Sequence, residues 1–212
     1  MKDYQNKFLK IALQTQALEF GTFKLKSGRL SPYFFNAAKM LDGGNLYELG
    51  LCYVEAIQDN KLNFDSIYGP AYKGIFLASI VSMGFSQNGI KYPLSFNRKE
   101  IKNHGEGGNI IGPNPKGDVL IVDDVLSAGT AARESIELID SVGAKPKNFI
   151  VGLDRQEKGT AEQSAREQLE TDFNITVKSI INLDTLVSFT TQSSKYEKYL
   201  GQLKDYRDLW GA

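Results

Sequence analysis

Residues 119–136 read VLIVDDVLSAGTAARESI, and this stretch restricts the fold more tightly than any other. Its opening run of apolar residues suits a strand buried on both faces, as happens where helices cover both sides of a parallel sheet. Two adjacent carboxylates, Asp123 and Asp124, follow it; burying an unpaired charge is costly, so they stand at a solvent-facing rim or bind something. After the small residues Ser127-Ala128-Gly129, Ala132, Ile136 and Ile139 recur at the spacing of a helix's inner stripe. The stretch is therefore a strand, a turn and a helix. Its turn lies at the carboxyl end of the strand, where open α/β sheets bind ligands.

The same alternation continues along the chain. FDSIYGP, KYPLSFN, NFIVGLD and ITVKSIINL read as strands, and residues 74–83, 130–142 and about 160–173 read as helices. The pattern predicts an α/β fold, a parallel twisted sheet flanked by helices. Ahead of it, Asp3 is placed to cap a helix running to about Ala17, and Asn45 opens a second with Leu46, Leu49, Tyr53, Val54 and Ile57 inward. Between them FGTFKLKSGRLSPYFFNAAKM alternates around Ser27-Gly28-Arg29 as a hairpin does, giving a small N-terminal β hood over about residues 18–42. NRKEIKNHGEGGNIIGPNPKGD falls outside the rhythm and reads as a long polar loop, mobile over about residues 98–110; loops of that length usually carry function. KYEKYLGQLKDYRDLW reads as an amphipathic helix packed on the domain through Tyr196, Tyr199, Leu200, Leu203 and Tyr206. With neither repeat nor linker, residues 1–212 are expected to form one domain.

Charge narrows the function. Lys plus Arg equals Asp plus Glu at 25 each, so no global field favours nucleic acid or an anionic membrane, and any anion site is local. Cys52 is the only cysteine; it excludes an internal disulfide and reads as a small core residue in a reducing compartment. Charges and amides interrupt MKDYQNKFLKIALQTQALEF, which lacks the apolar segment of a signal peptide. The uncharged stretch 74–90 contains Ser, Gln, Asn and three glycines, unlike a membrane span. The cytoplasm is the expected location.

The turn after the acids has its own chemistry. Small residues let the backbone close around a ligand, and the free amides at a helix N-terminus favour phosphate. Ser127 and Thr130 add hydroxyls. Asp123 and Asp124 would repel phosphate and suit neighbouring hydroxyls, so the combination points to a sugar phosphate. On periodicity alone, the segment reads equally as a plain turn with Asp124 or Thr130 as helix cap. Neither GxGxxG nor GxxxxGK[ST] occurs, which removes the main support for dinucleotide or ATP binding.

VLIVDDVLSAGTA resembles the phosphoribosyl pyrophosphate (PRPP) loop of the type I phosphoribosyltransferases: an apolar strand, two acids and a small-residue turn ending in Gly-Thr. Four further segments extend the resemblance, over nearly the whole chain, to the orotate phosphoribosyltransferases. FKLKSGRLSPYFFN, at 23–36, is similar to their orotate-binding hairpin, which implies Lys26 on the pyrophosphate side and Phe34 and Phe35 bounding the orotate site. GPAYKGI, at 69–75, resembles the turn whose Tyr72 and Lys73 touch PRPP. NRKEIKNHGEGG, at 97–108, resembles a mobile catalytic loop, which implies Arg98, Lys99, Lys102 and His104 at the pyrophosphate, Lys102 and His104 assisting catalysis. GLDRQE, at 152–157, matches the segment whose arginine, here Arg155, binds orotate. For the PRPP loop the resemblance implies Asp123 and Asp124 on ribose hydroxyls, Val125 and Leu126 alongside, and Ser127, Ala128, Gly129, Thr130 and Ala131 around the 5′-phosphate. Ser127, where the family commonly has Thr, would also touch orotate.

The implied activity is transfer of the 5-phosphoribosyl group from PRPP to orotate, giving orotidine 5′-phosphate and pyrophosphate in de novo pyrimidine (UMP) synthesis. It would use Mg²⁺ carried on substrate oxygens and water, with no dedicated protein ligands. A homodimer is implied in which one subunit's loop covers the other's site, without nucleic acid or membrane partners. The chemistry asks for these residue types, since a guanidinium pairs with a carboxylate and stacks on a planar ring, and a cationic loop can neutralise a departing pyrophosphate. Taken singly, each residue has a plainer reading. Lys26 and Arg29 read as solvated charges, one ring of Phe34-Phe35 as core, Tyr72-Lys73 as a helix start and Arg155 as a surface residue. Three rival functions share parts of the pattern. A phosphoribosyltransferase for another base would keep residues 123–131 without needing FKLKSGR or Arg155. A PRPP-sensing regulator that binds nucleic acid is opposed by the neutral charge. A receiver-like domain with an acidic Mg²⁺ pocket would have no use for the 127–130 turn.

Overall fold

The computed structural model describes residues 1–25, 27–42, 44–102, 108–158 and 163–212, with only the backbone described at residues 100–102 and 108. Helix α1 (Asp3–Gln14) leads into the hood strands β1 (Leu18–Lys24) and β2 (Leu30–Phe35), and α2 (Leu46–Asp59) follows. Then come β3 (Ser66–Gly69), α3 (Lys73–Gln87), β4 (Leu94–Lys102), β5 (Gly108–Ile111), β6 (Asp118–Leu126) and α4 (Thr130–Ser141). The chain continues with β7 (Lys145–Asp154), α5 (Ala165–Phe173), β8 (Thr176–Asn182), α6 (Leu183–Thr191) and α7 (Leu200–Trp210).

Six strands form the main sheet in the order β5-β4-β3-β6-β7-β8. Neighbours run parallel except β4 with β5. The predicted parallel sheet covered by helices is what forms, because its central strands bury consecutive apolar residues. Val119 to Val122 are fully buried, with Leu120 and Val122 in one core and Val119 and Ile121 in the other. Phe8 of α1, Leu49 and Tyr53 of α2 and Leu77 and Val81 of α3 fill the first core, whereas Ile136 and Ile139 of α4 and Leu169 of α5 fill the second. Each such side chain contributes roughly 1.5–3 kcal/mol of burial. Because α3 follows β3 on one face and α4 follows β6 on the other, the chain diverges at the carboxyl ends of two adjacent strands. That divergence is the switch point where α/β sheets form a binding crevice.

The hood is the expected antiparallel hairpin, with Gly28 at φ 86° in its turn. Phe20 packs on Tyr196 and Tyr199 at 5.2 and 5.6 Å between ring centres, which ties the hood to the C-terminal segment. Cys52 is fully buried on α2, and burial pushes its thiol up to about 12, as suits a core residue.

Four local readings change. The segment that reads as a polar loop is largely a hairpin over its described residues, with Asn97 opposite Ile110 and Lys102 opposite Gly108. It lies at the edge of the sheet, where polar side chains on both faces leave no apolar alternation to detect. Helix α6 goes unread because it starts directly at the end of β8; its signal is the Asn182 cap, which accepts from Thr185 N–H at 2.9 Å. Lys2 rather than Asp3 precedes α1, leaving Asp3 in the first turn at the positive end of the helix dipole. The C-terminal helix is broken, a 3₁₀ turn over Glu197–Tyr199 preceding α7. Among the described residues no helix is long and apolar enough to cross a membrane.

Candidate active site

Strand β6 carries the two acids to the switch point. Asp124 is buried, and its carboxylate forms an ion pair with Lys73 Nζ at the start of α3. Asp123 accepts the Asp124 N–H at 2.9 Å, while Tyr53 donates its hydroxyl from α2 to the Asp123 carbonyl at 3.0 Å. Burial and the adjacent Asp124 charge push the Asp123 carboxyl up to about 7. Both effects disfavour its ionised form.

The GPAYKG turn is pressed against β6. A Cβ on Gly74 would lie 2.5 Å from Pro70 Cδ and 2.8 Å from the Val122 carbonyl, and one on Gly69 would lie 2.3 Å from the Gly74 carbonyl. Glycine at both positions permits the approach that sets Lys73 on Asp124. The Ala71–Tyr72 peptide is cis. Ala71 donates its N–H to Asn97 Oδ1 at 2.6 Å, so β4 holds the turn from the other side. Tyr72 is 72% exposed, and Lys99 Nζ lies 5.7 Å from its ring centre. Arg98 Nε is buried without a hydrogen-bond partner. Tyr72, Lys73, Lys99 and Asp124 thus converge from β4, β6 and the segment that opens α3.

Across the crevice, Gly129 adopts φ 78° as the residue before α4, and no side chain caps that helix. Asp124 is held by Lys73 instead, so the plain capped-turn reading gives way to an open helix N-terminus. Ser127, Ala128, Thr130 and Ala131 are exposed around it. Val125 and Leu126 direct their side chains to opposite cores and can offer a ligand only their backbone.

Arg155, just past β7, is not a surface residue. Its N–H continues the ladder to the Leu126 carbonyl at 3.1 Å, and the residue is 5% exposed. Its guanidinium lies 4.3 Å from the Tyr33 ring centre. Nε donates to Glu157 Oε1 at 2.6 Å, and Nη2 donates to Ser31 Oγ at 3.0 Å and Tyr206 Oη at 3.4 Å. Burial works against the charge, but Tyr33, Glu157 and Tyr206 outweigh it and keep the group protonated. Arg29 is not a solvated charge either: it pairs with Glu157 and sits 4.3 Å from the Trp210 ring centre. Phe35 packs inward on Phe8 at 6.2 Å between ring centres, while Phe34 stays partly exposed against Phe23 at 5.5 Å. Lys26 and His104 lie outside the described residues, as does the side chain of Lys102, whose backbone ends β4.

Sequence reasoning missed Asn97, Ser31, Tyr33, Glu157 and Tyr206. Asn97, Ser31, Tyr33 and Glu157 lie inside quoted motifs, but nothing in their spacing marks them. Tyr206 reaches Arg155 across 51 positions and Ser31 reaches it across 124, which no local pattern records.

The acid pair and the open helix N-terminus meet at the switch point of the parallel sheet, and residues 52–178 match the family model of the phosphoribosyl transferase domain, which makes the chain a phosphoribosyltransferase. The chain is 48% identical over 212 residues to the orotate phosphoribosyltransferase of Marinobacter nauticus and 49% identical over 213 residues to that of Actinobacillus succinogenes, both matches covering 100% of each chain. The crystal structure of orotate phosphoribosyltransferase from Francisella tularensis matches with a TM-score of 0.85 at 36% identity, covering 97% of this chain and 99% of that one. The chain belongs to the orotate phosphoribosyltransferase family.

Proposed function

We propose that the chain transfers the 5-phosphoribosyl group of PRPP to N1 of orotate, releasing pyrophosphate and forming orotidine 5′-phosphate. The convergence of Lys73 on Asp124 beside the uncapped start of α4 carries this reading. It puts hydroxyl acceptors, a cation and open amides around one crevice. Asp123 and Asp124 accept from the ribose hydroxyls, residues 127–131 hold the 5′-phosphate, and Tyr72, Lys73, Arg98 and Lys99 face the pyrophosphate. Binding exchanges the Lys73–Asp124 pair for contacts to substrate. Lys26 adds a cation on the pyrophosphate side, and Phe34, Phe35, Ser127 and Arg155 bound the orotate.

As the C1–O bond lengthens, its electron pair leaves with pyrophosphate and the sugar takes oxocarbenium character, as in glycoside cleavage. Orotate N1 then attacks C1 from the opposite face with inversion and gives up its proton to solvent as the N1–C1 bond forms. Lys102 and His104 assist by electrostatics or proton donation as the 98–110 loop closes. The adjacent Asp123 and Asp124 carboxylates would supply hard oxygens toward a hydrated Mg²⁺ that accompanies PRPP. When bound, Mg²⁺ supplies charge neutralisation at the pyrophosphate. The working form in this reading is a homodimer in the cytoplasm whose loops cross between subunits, serving de novo pyrimidine synthesis.

The test is pyrophosphate release from PRPP and Mg²⁺ with orotate, uracil, adenine or hypoxanthine as acceptor. Release with orotate alone is expected; release with another base but not orotate would refute the reading. Lys102→Ala should slow turnover far more than it weakens orotate binding, and a kinetically silent Lys102→Ala would remove the loop's assigned role.

A further inference from the structure

Three separate parts of the chain meet on one buried carboxylate. Glu157, 8% exposed, receives Arg155 Nε at 2.6 Å and the Tyr206 hydroxyl at 2.7 Å on Oε1, and Arg29 Nη1 at 3.5 Å on Oε2. Arg29 comes from the hood turn, Arg155 from the end of β7 and Tyr206 from α7. The segment carrying Glu157 is strapped to the C-terminus by backbone bonds, Lys158 N–H to the Trp210 carbonyl at 2.8 Å and Ala212 N–H to the Gln156 carbonyl at 3.0 Å. Glu157 itself bridges to Gly211. Arg29 Nη2 also donates to the Lys158 carbonyl at 3.1 Å.

This arrangement decides what Arg155 can do. Its face is taken by Tyr33, its Nε edge by Glu157, and its Nη2 by Ser31 and Tyr206. Among the described residues only Nη1 has no protein acceptor. Two guanidinium groups around one carboxylate leave the cluster a single positive charge. A guanidinium on a flexible stem would sample many orientations, whereas one fixed on three sides presents one donor edge.

We infer that Glu157 is a positioning residue for the nucleobase: held by Tyr206 and Arg29, it fixes the plane of Arg155 so that Nη1 is left to meet the substrate's carboxylate. The inference rests on the assignment of Arg155 to orotate. Glu157 itself touches no reacting atom. It acts through Arg155, and the hood and C-terminal helix act through it.

The experiment is a double-mutant cycle on the full chain, reading KM for orotate and for PRPP separately. Glu157→Gln keeps the shape and removes the charge. It should raise the orotate KM by about tenfold, the loss of roughly one charge-assisted hydrogen bond, while the PRPP KM moves by less than about twofold. In an Arg155→Gln background the same change should add nothing further. Tyr206→Phe, which keeps the ring, should raise the orotate KM by a smaller factor and guards against a Glu157 variant that fails to fold. Equal rises in both KM values, or full additivity with Arg155→Gln, would overturn the positioning role. If Arg155→Gln raises the orotate KM and neither Glu157→Gln nor Tyr206→Phe does, the positioning role fails and Arg155 keeps its assignment. If Arg155→Gln itself leaves the orotate KM unchanged, both fall.

Discussion

Replacing Asp123 by Asn should stabilise the ligand-free protein at alkaline pH. The folded state raises this carboxyl from 3.8 to about 7, chiefly through burial and then through Asp124. Between those values the native chain keeps a proton that the unfolded chain releases, so stability falls as pH rises through the window and is flat above it. A rise of that size corresponds to about 4 kcal/mol at 1.36 kcal/mol per factor of ten. Partial exposure of the side chain reduces this to about 2–4 kcal/mol. Asn cannot ionise and escapes the penalty. Urea denaturation of wild type and Asp123→Asn at pH 5 and pH 8 reads the effect of the Asp123–Asp124 pair, because titrating groups away from it, including Asp154, also raised by burial, are common to both proteins. The stability of Asp123→Asn relative to wild type should increase by about 2–3 kcal/mol between the two conditions. A difference unchanged within about 0.5 kcal/mol would mean that the buried site does not disfavour the ionised form, and the argument would fail. The gain should be accompanied by weaker PRPP binding, since the amide loses an acceptor oxygen.

Gly74→Ala should cost about 1–3 kcal/mol in urea unfolding and raise the PRPP KM, because its Cβ overlaps Pro70 and the Val122 carbonyl and forces α3 away from β6. Tyr53→Phe, which leaves the Asp123 carbonyl without its 3.0 Å donor, should cost about 1–2 kcal/mol by the same measurement. Removing divalent ions with EDTA should abolish pyrophosphate release, and added Mg²⁺ should restore it.

Much of the fold was legible because the central strands bury both faces and so carry apolar runs, while α2 and α4 carry stripes of helical period. The β4–β5 hairpin was not legible. Its stability comes from the strand ladder at a polar edge, and ladders leave no mark on side-chain pattern. The candidate site divides in the same way. Asp123, Asp124 and the 127–131 turn stand out because charge at a strand end and small residues before a helix are locally anomalous. What surrounds Arg155 does not stand out, since Ser31, Tyr33 and Tyr206 are ordinary residues brought in by tertiary folding. The plain readings of Arg29 and Arg155 as exposed failed for the same reason: their buried partners lie on other elements.

Trp210 is the chain's one tryptophan, and its ring carries Arg29 at 4.3 Å, where the hood meets the C-terminal helix. Indole emission responds to a cation over the ring, so the unlabelled protein has a single indole reporter at the junction between hood and helix. A shift in emission on adding ligand, followed by rapid mixing, would time the hood's response separately from the chemistry.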